Sequence, residues 1–165
     1  MKAQTSLLMD FSIDRENKKI FVKREFAAPL SKVWAAWTES KWLDQWWAPK
    51  PWQAQTKSLD FREGGYWLYA MVGPDGTTHW SRADFQSITP YISFTGQDAF
   101  CDENGNIDNN LPVSVWSNEF QEVADSTIVF IAITYNEIAD LDKIIEMGFK
   151  EGLTAAMENL DELLV

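Results

Sequence analysis

Between Asp140 and Leu164 apolar residues return every three or four positions: Leu141, Ile144, Ile145, Gly148, Phe149, Gly152, Leu153, Ala156, Met157, Leu160, Leu163 and Leu164. That period predicts one long amphipathic helix over 140–164, and its apolar face must be covered by another part of the chain. The acidic residues Asp142, Glu146, Glu151, Glu158, Asp161 and Glu162 fall mostly off the stripe and read as a solvated face.

The cover lies upstream. Lys18–Phe26 alternates Ile20, Val22, Arg24 and Phe26 against Phe21, Lys23 and Glu25, a strand pattern. Further strands are expected at 52–59, 66–72, 77–87, 91–100, 116–123 and 127–135, with a short one at Met9–Ile13. "GPDG" at Gly73–Gly76 marks a hairpin, because Pro presets one turn dihedral and Gly permits the other. Between the first long strand and the rest, Leu30, Val33, Trp34 and Trp37 form a helical face after Pro29. A second short helix over 40–47 ends before Ala48-Pro49. Hairpin-linked strands beside segregated helices mean an α+β fold with an antiparallel sheet. The expected layout is a loosely held segment over 1–18 and one domain over 19–165.

Composition narrows the function. A net charge of −11 repels phosphate backbones and anionic membrane surfaces, so a nucleic-acid partner and membrane insertion are not expected. The N-terminal apolar patch is too short for a signal sequence, and no run approaches a membrane span. With the lone Cys101, this reads as a cytoplasmic protein. One histidine, His79, and one distant cysteine cannot build a zinc site or a Ser-His-Asp triad. "CDENGNID" departs from the calcium-loop pattern and reads as a solvated loop. No cofactor, metal or catalytic residue is expected.

The segments "REFAAPLSKVWAAWTESKWLDQWWAPKPW", "DFREGGYWLYAMVGPDG" and "EMGFKEGLTAAMENLDELL" resemble the START-like (SRPBCC) superfamily, and within it homologues of the heat-shock-protein-90 ATPase activator. The resemblance runs from about Phe11 to the C-terminus. It implies a helix-grip fold: a curved antiparallel sheet around the long C-terminal helix, with two short helices closing one end. It also implies an apolar cavity between sheet and helix, and so a small hydrophobic or amphipathic ligand. The fold hosts many chemistries. A chaperone partner and a cyclase- or hydrolase-type enzyme therefore stand as alternatives.

Six of the nine tryptophans fall between positions 34 and 52. Trp34 and Trp37, at helical spacing, read as core. Trp46, Trp47 and Trp52, at a helix end and beside prolines, read as cavity mouth, core or docking surface. Gly148 and Gly152 interrupt the stripe at about 1 kcal/mol each. Either a strand packs close there or the cavity needs the room. Trp116 and Phe120 complete the aromatic cavity candidates.

Strand register supplies the polar candidates. A four-residue "GPDG" loop sets Trp67 opposite Arg82 and Tyr69 opposite Trp80. A three-residue loop at 89–91 sets Arg82 opposite Asp98. Trp67, Tyr69, Met71, Trp80, Arg82, Asp84 and Asp98 would then share one face. The resemblance puts Trp67, Tyr69 and Met71 inward, so Arg82 is expected buried between Trp67 and Asp98, with Asp84 near. The trio would be a cross-strand ion pair or would orient a ligand's polar group. A one-residue slip in either loop would reverse the faces.

Overall fold

The alternating segments build one eight-stranded antiparallel sheet in the computed structural model, which describes residues 7–165. In chain order the elements are β1 (Met9–Asp14), β2 (Lys19–Phe26), α1 (Leu30–Thr38), α2 (Ser40–Trp46), β3 (Gln53–Leu59), β4 (Tyr66–Val72), β5 (Thr78–Thr89), β6 (Ser93–Cys101), β7 (Val113–Val123), β8 (Ser126–Tyr135), α3 (Ile138–Glu146) and α4 (Phe149–Leu163). Strand order is β1-β2-β8-β7-β6-β5-β4-β3, with every neighbouring pair antiparallel. β3 to β8 form a meander of hairpins. The α1–α2 pair carries the chain from β2 to β3, at the far edge of the sheet, and the meander returns until β8 pairs with β2.

Alternation along the strands decides which face is inner. Ile20, Val22 and Phe26 on β2, Trp116 and Phe120 on β7, and Val129, Ile131 and Ile133 on β8 enter one core. Leu153, Ala156, Met157 and Leu160 of α4 join it, at the four-residue spacing that the sequence stripe shows. α1 contributes Val33, Trp34 and Trp37, and α2 contributes Leu43 and Trp46. Trp46 is wholly buried and donates its indole N–H to the Ala36 carbonyl at 2.8 Å, which fixes the corner between the two helices.

The terminal helix is two helices, not the single one expected. Gly148 has φ 88°, in the left-handed region, and it is the N-cap of α4. Only glycine takes this conformation without cost, so the residue serves the break rather than cavity room. A Cβ at Gly152 would lie 3.8 Å from Pro49, so that glycine faces the segment after α2, not a strand or a cavity.

Register is the second correction. Gly76 takes φ 87° and the Gly73 N–H donates to the Thr77 carbonyl, so the turn is 74–76 and Val72 pairs with Thr78. A type I turn closed by a left-handed glycine makes this three-residue hairpin. The next turn is 90–92, and a bulge between Phe85 and Ser87 shifts the pairing again. Leu68 therefore faces Arg82, Trp67 faces Ala83, and Ala83 faces Asp98. Trp67, Tyr69 and Asp98 share the inner face. Trp80, Arg82 and Asp84 lie on the outer one.

Arg82 binds both carboxylate oxygens of Asp84 at 2.9 and 2.6 Å, donates to the Gly105 carbonyl, and sits over the Tyr66 ring. It holds the loop 102–111 across Leu68 on the outside of the sheet. The buried arginine of the inner face is instead Arg24, which pairs with Asp161 of α4 and stacks on Phe26. Removing one partner of such a pair strands the other charge. Arg24→Ala is expected to cost roughly 3 kcal/mol in urea unfolding, against about 1 kcal/mol for Arg82→Ala on the outer face. Gly148→Ala, forced into the left-handed region, should cost roughly 1 kcal/mol.

Candidate functional site

The inner face does not close completely beneath α1 and α2. A cavity of about 40 Å³ remains, room for about three water-sized groups. Trp37 and Thr38 of α1, Leu43 of α2 and Trp47 just beyond it form its roof. The floor comes from the sheet: Leu59, Trp67, Ala83, Phe85, Phe94, Gly96, Asp98, Trp116 and Asn118. No residue of α4 borders it. The cavity thus lies between the sheet and the two short helices, not against the C-terminal helix as expected. Trp47 and Leu59, half-buried, mark the side nearest solvent.

Hydrogen bonds hold three of its four indoles. Trp47 donates to the Tyr69 hydroxyl at 3.0 Å, and Tyr69 stacks on Trp67 at 3.9 Å. Trp67 donates to the Thr56 hydroxyl, which in turn donates to Asp44 of α2 at 2.6 Å. Trp116 donates to the Ser114 hydroxyl. The fourth indole, Trp37, packs edge-on to Trp47 and Phe120, and its buried N–H has no partner. Asn118 is buried, and its Oδ1 is also unpartnered.

Asp98 is the one charged residue of the wall. Among the described residues nothing hydrogen-bonds its carboxyl. Its side chain borders the cavity, so some surface remains open, yet the surrounding chain shields it from bulk water. Burial, with a smaller contribution from the Asp84 charge across the strand, pushes its carboxyl up to about 8. Tyr69 and Tyr135 are raised as well, first by burial and then by the Asp98 charge, and both remain phenols.

Of the residues expected from sequence, Trp47, Trp67, Asp98 and Trp116 border the cavity. Tyr69 stands one layer behind Trp47. Trp46 and Phe120 belong to the core, and Met71 packs against it. Trp52 stacks on His79 at 5.6 Å, away from the cavity. Trp80, Arg82 and Asp84 are on the other face, and Gly148 and Gly152 are remote for the reasons given above. Sequence reasoning missed Asn118, although it is a polar residue in phase with Trp116 and Phe120. It placed Trp37 in the core, and the indole borders both core and cavity. Among the described residues no three His, Cys, Asp or Glu side chains gather as metal ligands, and no helix is long and apolar enough to cross a membrane. A wider groove of about 400 Å³ runs over the outer face past Phe21, Lys23, Glu119 and Phe130.

A curved antiparallel sheet that grips its terminal helices, with two short helices over an inner pocket, defines a helix-grip domain. The chain belongs to the family described as activator of Hsp90 ATPase homolog 1-like protein, whose model matches residues 27–165. A crystal structure of a Mycobacterium smegmatis protein is 29% identical, with TM-score 0.88 over 97% of this chain and 98% of that one. A solution structure of an Arthrobacter aurescens protein is 30% identical, with TM-score 0.88 over 94% and 90% of the two chains. A Staphylococcus epidermidis protein is 25% identical, with TM-score 0.81 over 93% of each. No significant match is found among curated protein sequences.

The carboxyl without a partner makes a stability prediction. In the unfolded chain Asp98 titrates near the ordinary value of about 3.9. Below that pH both states carry the proton and the residue is neutral to stability. Between there and about pH 8 the unfolded chain releases a proton that the folded chain keeps, so stability falls as pH rises. The full cost is present above pH 8. Asp98→Asn is therefore expected to raise the melting temperature, with a gain that widens from pH 5 to pH 8.5 and reaches at least about 2 kcal/mol. Melting curves of the two proteins across that range check it.

Proposed function

We propose that the domain binds a small amphipathic molecule in the cavity beneath α1 and α2. The observation that carries this reading is a pair of buried polar atoms without partners among the residues lining the cavity, the Trp37 N–H in its roof and Asn118 Oδ1 in its floor, together with the Asp98 carboxyl that nothing hydrogen-bonds. Buried polar groups without partners cost folding free energy, and they are retained where something else completes them. Apolar walls with a few convergent polar groups are the usual make-up of a small-molecule site. The enclosed volume is small, so the ligand's polar end enters and its apolar part extends toward Trp47. No catalytic role is assigned to any residue.

The test uses the tryptophans themselves. Small amphipathic fragments are titrated into the full chain while the indole N–H signals are followed by nuclear magnetic resonance. The Trp37 and Trp47 signals are expected to move first and Trp52 last. Asn118→Leu, which keeps the volume and removes the acceptor, should lower fragment affinity several-fold while leaving the fold intact. A cavity that holds ordered water only, with no fragment moving the Trp37 signal, overturns the reading.

A second reading follows from the family description: a partner of a chaperone ATPase. The surface that would serve it is the outer groove, where Phe21 and Phe130 lie together on the open sheet face. Chaperone ATP turnover that changes with the wild-type chain but not with Phe21→Ser would support it, and equal effects of both would exclude that surface.

A further inference from the structure

The pocket wall can take charge of one sign only. Its one ionisable side chain is Asp98, and no Lys, Arg or His borders the cavity. Asn118 Oδ1 and the Trp37 N–H are an unpartnered acceptor and donor elsewhere in the lining. Four indoles make up much of the remaining wall, and the faces of aromatic rings attract cations through their quadrupoles. The chain's net charge of −11 also raises the local concentration of small cations around it. An anion would meet a carboxyl and electron-rich rings. A neutral hydroxyl gains nothing from the charge that Asp98 can take. An ammonium pairs with the carboxylate and with the ring faces, and room for three water-sized groups admits its nitrogen and the first carbons of a chain.

We infer that the polar end of the ligand is a primary organic ammonium seated against Asp98, with its carbon chain lying against the indoles. This deepens the ligand-site reading and rests on it.

The electrostatics of the site give the inference a distinct signature. Tyr69 on β4 and Tyr135 on β8 face Asp98, and both stay uncharged because burial raises them. Asp84 acts from the other side of β5 and adds to the raising of Asp98. α1, α2, β3 and β7 bring no titratable side chain to the wall. Without ligand, Asp98 holds its proton up to about pH 8. A bound ammonium favours the carboxylate, so binding expels that proton. Affinity for a cation must then climb as pH rises, and level off above about 8. A neutral hydroxyl accepts from the protonated acid and donates to the carboxylate, so its affinity changes little with pH.

Butylamine and butan-1-ol have the same number of non-hydrogen atoms and differ in the charge of the head group. Each is titrated into the full chain at pH 6 and pH 8.5, followed through the indole N–H signals. At pH 8.5 the amine is expected to bind at least tenfold more tightly than the alcohol. By pH 6 the amine should lose at least tenfold, while the alcohol shifts less than twofold. Asp98→Asn should abolish both the preference and the pH dependence while still binding the alcohol. The wild-type pH comparison decides the matter even if that variant folds poorly. Equal binding of the two, tighter binding of the alcohol, or an amine affinity flat with pH overturns the ammonium assignment and leaves a neutral-ligand site standing. If neither compound moves the Trp37 and Trp47 signals, the ammonium assignment falls together with the ligand reading beneath it.

Discussion

The indole of Trp46 and the carbonyl of Ala36 hold the corner on which the rest of the inner face depends. That corner lays α1 and α2 flat over the sheet. Its placement brings Trp37 against Phe26, Trp46 and Trp47, and it brings Trp34 against Phe61, Phe94 and Phe120. Aromatic rings at edge-on angles pack densely but tile imperfectly, because each is rigid and large. The gap under Trp37 and Trp47 is the residue of that tiling. The sheet supplies a carboxyl there, where an aliphatic side chain would have closed it.

The polar parts of the structure sort by which face they occupy. On the outer face Arg82, Asp84, Tyr66 and the Gly105 carbonyl satisfy one another, and the result fastens a loop. On the inner face Arg24 and Asp161 tie β2 to α4. Asp98 belongs to neither group. A buried acid without a partner weakens the fold, so its position is readily explained by binding and poorly by stability. The two tyrosines near it do not repair the cost, since neither hydroxyl bonds the carboxyl: Tyr69 engages Trp47 and Ser81, and Tyr135 engages Ser114.

Much of the architecture was legible because period is a local property. The alternation at Ile20, Val22, Arg24 and Phe26, and the stripe from Leu141 to Leu164, each name an element and its buried side. That same alternation already placed Arg24 among the apolar residues, and its charge partner sat in the stripe's polar flank at Asp161. The pairing of strands is not local. It turned on whether Gly73 belongs to the turn or to the ladder, and on an extra residue near Gln86. Each error is one residue, and each exchanges the faces of a whole strand. Hence Asp98 was assigned to the correct face with the wrong partner. The break at Gly148 was hidden because a left-handed glycine preserves the apolar stripe on both sides of it.

The closing of the sheet by β2 and β8 has a consequence for biosynthesis. Every strand from β3 onward pairs with the strand made just before or after it, but β2, paired at once with β1 on one side, waits on its other side for a strand made more than a hundred residues later. At ordinary rates of translation that interval is roughly 5–20 s. For that time Ile20, Val22 and Phe26 of β2 lack the strand that finally lies beside them. The first hairpin of the nascent chain keeps an open edge, and the return of β8 is the event that closes it.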